Sequence, residues 1–256
     1  MKKIIYLIII PVLLILTVSA FTNQKATKIT EKKENRGFAV IELFTSEGCS
    51  SCPPADDAIA EIQKEYKDKN VLVLGFHVDY WDRLGWKDPF SSSDFTARQE
   101  YYASIFNLNS IYTPEAVING KSEFVGSDKN KIINNVEGQL KLKSKVSITL
   151  KAMQNNSGKI EINYSVEDNN SRQDQLVILL IQKNASDNIK KGENEGKTLQ
   201  HINIVRKMSC LSVPLHEANF TFNLSKDFKK EYFFIAAFVQ NKKHGDLEGL
   251  GIAEIN

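Results

Sequence analysis

The chain has 256 residues, a formal net charge of +2 and 42% hydrophobic residues. That is the composition of a globular protein with room for one large or two ordinary domains. The charge is balanced, with no basic block beyond Lys32-Lys33 and the scattered Lys residues, which excludes nucleic acid as the expected partner.

Lys2-Lys3 and the apolar run Ile4–Val18 form the n- and h-regions of a signal segment, with Val18-Ser19-Ala20 as the cleavage site. Residues 1–20 are thus expected to be removed, and the loss of Lys2 and Lys3 takes the charge from +2 to 0. The product is exported, to a periplasmic or extracellular location. An uncleaved segment would instead anchor it, and this is the expected route to a membrane. Residues 21–36 are polar and rich in Lys and Glu, a flexible linker.

Phe38–Phe44 reads as a strand and Pro53 to about Lys67 as a helix. Between them stands Cys49-Ser50-Ser51-Cys52. Two thiols at this spacing, at a strand-to-helix junction, can close a small reversible disulfide. Export favours the oxidised form. With three cysteines, Cys49 and Cys52 are the natural pair, and Cys210 reads as a buried, inert thiol. Pro53-Pro54 removes two N–H donors from the helix start, so Cys49 would gain less from the helix dipole. Asp56 and Asp57 read as solvating the first helical turn.

Val71–Val78 is a continuous apolar run, the mark of a buried parallel strand. Asp79–Ser93 follows, then a helix from Asp94 to Phe106 capped by Ser92, Ser93 or Asp94. Tyr80, Trp81, Trp86, Phe90, Tyr101 and Tyr102 lie here. They suit a lid over the cysteines or the packing of the inserted helix. Glu115–Ile118 and Lys121–Val125 flank Asn119-Gly120, a hairpin turn signal, and Asp128–Leu140 is a helix. Beyond Lys143 the pattern is strand-rich: Val146/Ile148/Leu150, Ile160/Ile162/Tyr164/Val166, Leu176–Ile181, Phe220/Phe222/Leu224, Tyr232–Val239 and Gly249–Ile255. Asn184–Gln200 reads as a surface loop. His201, Arg206 and His216 show no partner pattern.

The order strand, C-x-x-C, helix, strand, insertion, Thr-Pro, hairpin, helix resembles the thioredoxin-like proteins over about residues 37–142. The resemblance implies a cis Thr113-Pro114 facing the cysteines, Cys49 as nucleophile and Cys52 as resolving thiol. It also implies a buried acid behind the pair, and Glu42 stands at about that position. The alternative for Glu42 is a solvent-facing strand residue. The expected fold class is an α/β thioredoxin-like domain with a helical insertion, residues 37–142, followed by an all-β sandwich-like domain, residues 143–256. Phe44–Asp56, His77–Asp82, Tyr112-Thr113-Pro114 and Gly192–Gly196 further resemble the exported bacterial family known as domain of unknown function 1223.

The expected function is that of an exported thiol–disulfide oxidoreductase-like protein. It would use Cys49, Cys52, Thr113, Pro114 and Glu42 on a protein or small-molecule thiol or disulfide substrate, with an unidentified redox partner and no cofactor. Two alternatives stand beside it. One is a binding protein with a structural disulfide. The other is a copper-delivery protein in which His77 joins Cys49 and Cys52 as a metal ligand, against a His77 bonded to Asp79 or backbone.

Overall fold

A computed structural model describes residues 36–155, 157–168, 174–214, 217–224 and 228–256. The expected signal segment, all of the expected linker but Arg36, and His216 lie outside the described residues. β1 (Ala39–Thr45) leads through the cysteine loop into α1 (Pro53–Glu65) and β2 (Val71–His77). α2 (Ser93–Phe106), the hairpin β3 (Glu115–Ile118) and β4 (Ser122–Val125), and α3 (Lys129–Leu140) follow. The remainder is strand: β5 (Ser147–Gln154), β6 (Ile160–Glu167), β7 (Asp174–Asn188), β8 (Thr198–Ser212), β9 (Ala218–Phe222), β10 (Phe233–Asn241) and β11 (Leu247–Glu254).

These strands form an eight-stranded mixed sheet, ordered β11-β10-β7-β8-β2-β1-β3-β4, and a three-stranded sheet, β5-β6-β9. β1 and β2 run parallel, β1 and β3 antiparallel. β8 joins β2 through the parallel pair Gly75 and Ile204. This corrects the expected fold class. The protein is mostly β, with three α-helices against eleven strands among the described residues. It is not an α/β thioredoxin-like domain followed by a β-sandwich, because strands from both halves of the chain share one sheet.

The alternation of strand side chains explains how the layers pack. Leu72, Leu74 and Phe76 of β2 face α2, while Val71 and Val73 face α1 and α3. In β7, Val177, Leu179 and Ile181 join the α2 side, whereas Leu176, Ile178 and Leu180 pack against the small sheet. β10 divides in the same way. Continuous apolar runs therefore mark strands covered on both faces. Ser92 caps α2 by accepting the Asp94 N–H, and Asp128 caps α3 by accepting that of Lys131. Asn119 and Gly120 both take positive φ, as their hairpin requires.

One expectation fails in the second half. Asn184–Gln200 is not a surface loop throughout, since Asn184–Asn188 and Thr198–Gln200 continue β7 and β8 as a paired ribbon. Backbone pairing across the ribbon holds these polar residues extended. Only the tip, Ile189–Lys197, is a turn.

Candidate functional site

β1 ends at Thr45, and the loop Ser46–Ser51 carries the chain to α1. The loop is bonded to itself: Cys49 N–H donates to the Ser46 carbonyl at 3.1 Å, and Cys52 N–H to the Cys49 carbonyl at 3.3 Å. Cys52 stands at the N-cap, and its carbonyl accepts from Ala55 and Asp56. Pro53 and Pro54 fill the first helical positions, where no N–H is needed. Cys49 and Cys52 are joined in a disulfide.

The Thr113–Pro114 peptide is cis. The Thr113 carbonyl oxygen lies 4.0 Å from Cys49 Sγ, and Ser51 Oγ lies 3.3 Å from the same sulfur. The structure thus brings Cys49, Cys52, Thr113 and Pro114 together. It does not leave them open. Both cysteines have 0% exposure.

Two segments enclose the loop. The first follows β2: Trp81 Nε1 donates to Thr113 Oγ1 at 2.9 Å, and Trp86 Nε1 donates to Glu47 Oε2 at 2.7 Å. Trp81 also leaves little room at Gly48, where a Cβ would sit 3.1 Å from its own Cβ. The second is the β7–β8 tip. The fully buried Asn194 donates through Nδ2 to the carbonyls of Glu47 and Cys49, both at 2.9 Å. Ser50 N–H donates to Glu193 Oε2 at 3.0 Å, and the Ser50 side chain, with this N–H second, holds the Glu193 carboxyl below its usual range. The stretch Gly192–Gly196 therefore serves as a latch on the cysteine loop.

Glu42 lies elsewhere. It is fully buried and accepts from Arg98 Nε and Nη2, at 2.5 and 2.9 Å, and from Tyr102 OH at 2.5 Å. The parity of β1 explains this. Val40 and Phe44 face α2, and Glu42 shares their side, whereas Ile41 and Leu43 face α1. Glu42 is thus neither the acid behind the cysteines nor a solvent-facing residue. His77 is also committed: Nδ1 lies 2.7 Å from Asp88 Oδ2, and its ring packs edge-on against His201 and Phe90. Asp88, not Asp79, is its partner.

Beside the cysteine loop lies a buried polar cluster that sequence reasoning missed. Asp88 Oδ2 accepts the Glu47 N–H at 2.9 Å. His201 Nε2 is 3.1 Å from Glu47 Oε1, and its Nδ1 is 3.8 Å from Asp56 Oδ2. Thr45 Oγ1 donates to Asp56 Oδ2 at 3.4 Å. Burial pushes the Asp56 carboxyl up to about 7, although His201 and Thr45 pull it down. Burial also acts to raise Asp88, but the charge and hydrogen bond of His77 outweigh it, and Asp88 sits below its usual range. Asp56 therefore does not solvate its helical turn, although its neighbour Asp57 is exposed. The family-like stretches Phe44–Asp56 and His77–Asp82 contain Thr45, Glu47, Asp56 and His77 of this cluster, while nothing in the sequence pointed to Asp88 or His201. Cys210 is exposed on β8 rather than buried.

The family model described as "Protein of unknown function (DUF1223)" matches residues 40–240. The crystal structure of protein AGR_C_4864 from Agrobacterium tumefaciens is similar at 27% identity and a TM-score of 0.62, over 84% of this chain and 92% of that one. A domain of the outer membrane lipoprotein Omp28 from Porphyromonas gingivalis aligns over 44% of this chain and 97% of its own, at 17% identity and a TM-score of 0.29. No curated protein matches. The chain belongs to the DUF1223 family of proteins of unknown function.

Proposed function

We propose that this protein is an exported, thioredoxin-like thiol–disulfide exchange protein whose working couple is Cys49–Cys52. The observation that carries the reading is the closed Cys49–Cys52 pair at a strand-to-helix junction, with the Thr113 carbonyl 4.0 Å from Cys49 Sγ. A backbone acceptor so placed suits the docking of an extended chain next to the reacting sulfur. In the cycle, the Cys49 thiolate attacks a substrate disulfide and Cys52 then releases the substrate. The reverse sequence oxidises a substrate dithiol. The signal segment supports export, where such a pair meets oxidised partners.

One observation favours a second reading. The complete burial of both cysteines suits a structural disulfide that braces a binding surface. His77, held by Asp88 and His201, offers no support for copper delivery. The test is the reduction potential of the couple, measured by equilibration with glutathione and thiol counting. A potential between about −120 and −270 mV supports exchange, while one below about −300 mV leaves a structural bridge.

A further inference from the structure

Asp56 stands four residues after Cys52 in α1, one helical turn along the same face. Helical side chains lean toward the N-terminus, so residue 56 covers the turn that Cys52 opens. The Asp56 side chain is only 11% exposed, and His201 Nδ1 lies 3.8 Å from its Oδ2. His201 is 4% exposed, and its Nδ1 has no hydrogen-bond partner among the described residues. A buried ring nitrogen without a partner is costly to keep. A movement of about 1 Å would close a normal hydrogen bond to the Asp56 carboxyl.

We propose that Asp56 and His201 handle the proton of the Cys52 thiol. Asp56 is the proton acceptor, and His201, tethered to Glu47, is the residue that positions it. This rests on the thiol–disulfide reading. When a mixed disulfide stands on Cys49, the Asp56 carboxylate takes the proton from Cys52. The Cys52 sulfur attacks the Cys49 sulfur, the Cys49–Cys52 bond forms, and the bond to the substrate sulfur breaks. The substrate leaves as a thiolate with the electron pair and is protonated from solvent, to which Asp56 returns its proton. In the opposite direction, protonated Asp56 supplies the proton to Cys52 as it leaves the disulfide.

A buried carboxyl that titrates at about 7 suits this work at neutral pH. The groups around it set its sensitivity. His201 from β8 and Thr45 from β1 favour the carboxylate, while Asp88 and Asp57 oppose it. Glu47 and His77 adjoin His201, and the Asp88 charge acts on Arg206.

The test uses fully reduced protein carrying Cys210→Ser, since Cys210 is exposed, and dithiobis(nitrobenzoate) as the probe. The first thionitrobenzoate released reports attack by Cys49, and the second reports closure by Cys52. The closure rate is expected to rise through an inflection near pH 7. Asp56→Asn should remove that inflection and slow closure at pH 7 on the order of a hundredfold. The first release should stay within a factor of about two. Thr45→Val and His201→Asn should each move the inflection upward, and they carry the test if Asp56→Asn does not fold. Closure that keeps its rate and inflection in Asp56→Asn, or an inflection unmoved in both other variants, overturns this proposal alone. A parent protein that gives no second release overturns the thiol–disulfide reading as well.

Discussion

Two buried carboxyl groups on the α2 side of the sheet behave in opposite ways. Glu42 is matched by the Arg98 guanidinium, which also lies over the rings of Phe76, Tyr102 and Phe238. Removing one partner of such a pair leaves an uncompensated buried charge. Arg98→Met is therefore expected to lower stability by about 3–5 kcal/mol, read from urea unfolding, whereas Glu42→Gln with Arg98→Met should recover much of it. An Arg98→Met loss below about 1 kcal/mol would refute this account. Glu115 pairs with no cation among the described residues. Burial pushes it up to about 7 from 4.5, against a hydrogen bond from Gln99 Nε2 and with Glu123 and Glu42 adding to the rise. A carboxyl raised in the folded state is protonated there while the unfolded chain already ionises. Its contribution is complete below about pH 4.5 and is lost as pH climbs through about 7. The difference amounts to about 3 kcal/mol. Glu115→Gln should flatten the fall of Tm between pH 5 and 8, although Asp56 will keep part of that slope. An unchanged slope counts against this reading of Glu115.

At the level of elements, the β7–β8 tip is bonded onto the cysteine loop. Asn194 closes it with two bonds to the cysteine loop. At about 1 kcal/mol each, their loss lowers the opening free energy by about 2 kcal/mol. Asn194→Ala should then speed reduction of the disulfide by a small phosphine roughly thirtyfold, as followed by thiol counting. An unaltered rate would mean that reagents reach the sulfurs by another path. The same elements show how far the sequence could be read. The strand–loop–helix around Cys49 and Cys52, the Asn119-Gly120 turn, the Ser92 cap and the apolar strand Val71–His77 are local, and each left a local pattern. The latch is not local, since Asn194 and Cys49 lie 145 residues apart. Its ribbon is polar, which periodicity reads as loop. Glu42 failed for a subtler reason. Its distance from Cys49 suited the acid role, but strand parity sent it to the other face of the sheet. His201 met Asp56 only because β8 lies beside β2, a pairing of one residue with Gly75 that no pattern announces.

For the whole molecule, one sheet carries both halves of the chain, and one apolar layer does too. Leu72, Phe76 and Phe95 share a cluster with Val177, Val205 and Phe238. Asn119, in the β3–β4 turn, accepts the Leu247 N–H through its carbonyl and the Val40 N–H through Oδ1. The buried Gln240 of β10 donates to Tyr102 of α2. Separating the halves would strip this layer of its partners and leave Arg98 and Glu42 facing water across a missing wall. Unfolding in urea should therefore be a single transition. The emission of Trp81 and Trp86, both in the first half, reports one end of the sheet, and far-UV circular dichroism reports strands throughout. Coincident midpoints for the two probes are the expected result. A fragment ending at residue 142 should lack a cooperative transition altogether. Two resolved midpoints, or a fragment that melts cooperatively, would show that the shared layer contributes little. The cysteine site would then owe its closure to the hairpin tip alone, rather than to a fold in which the latch and the loop it holds are stabilised together.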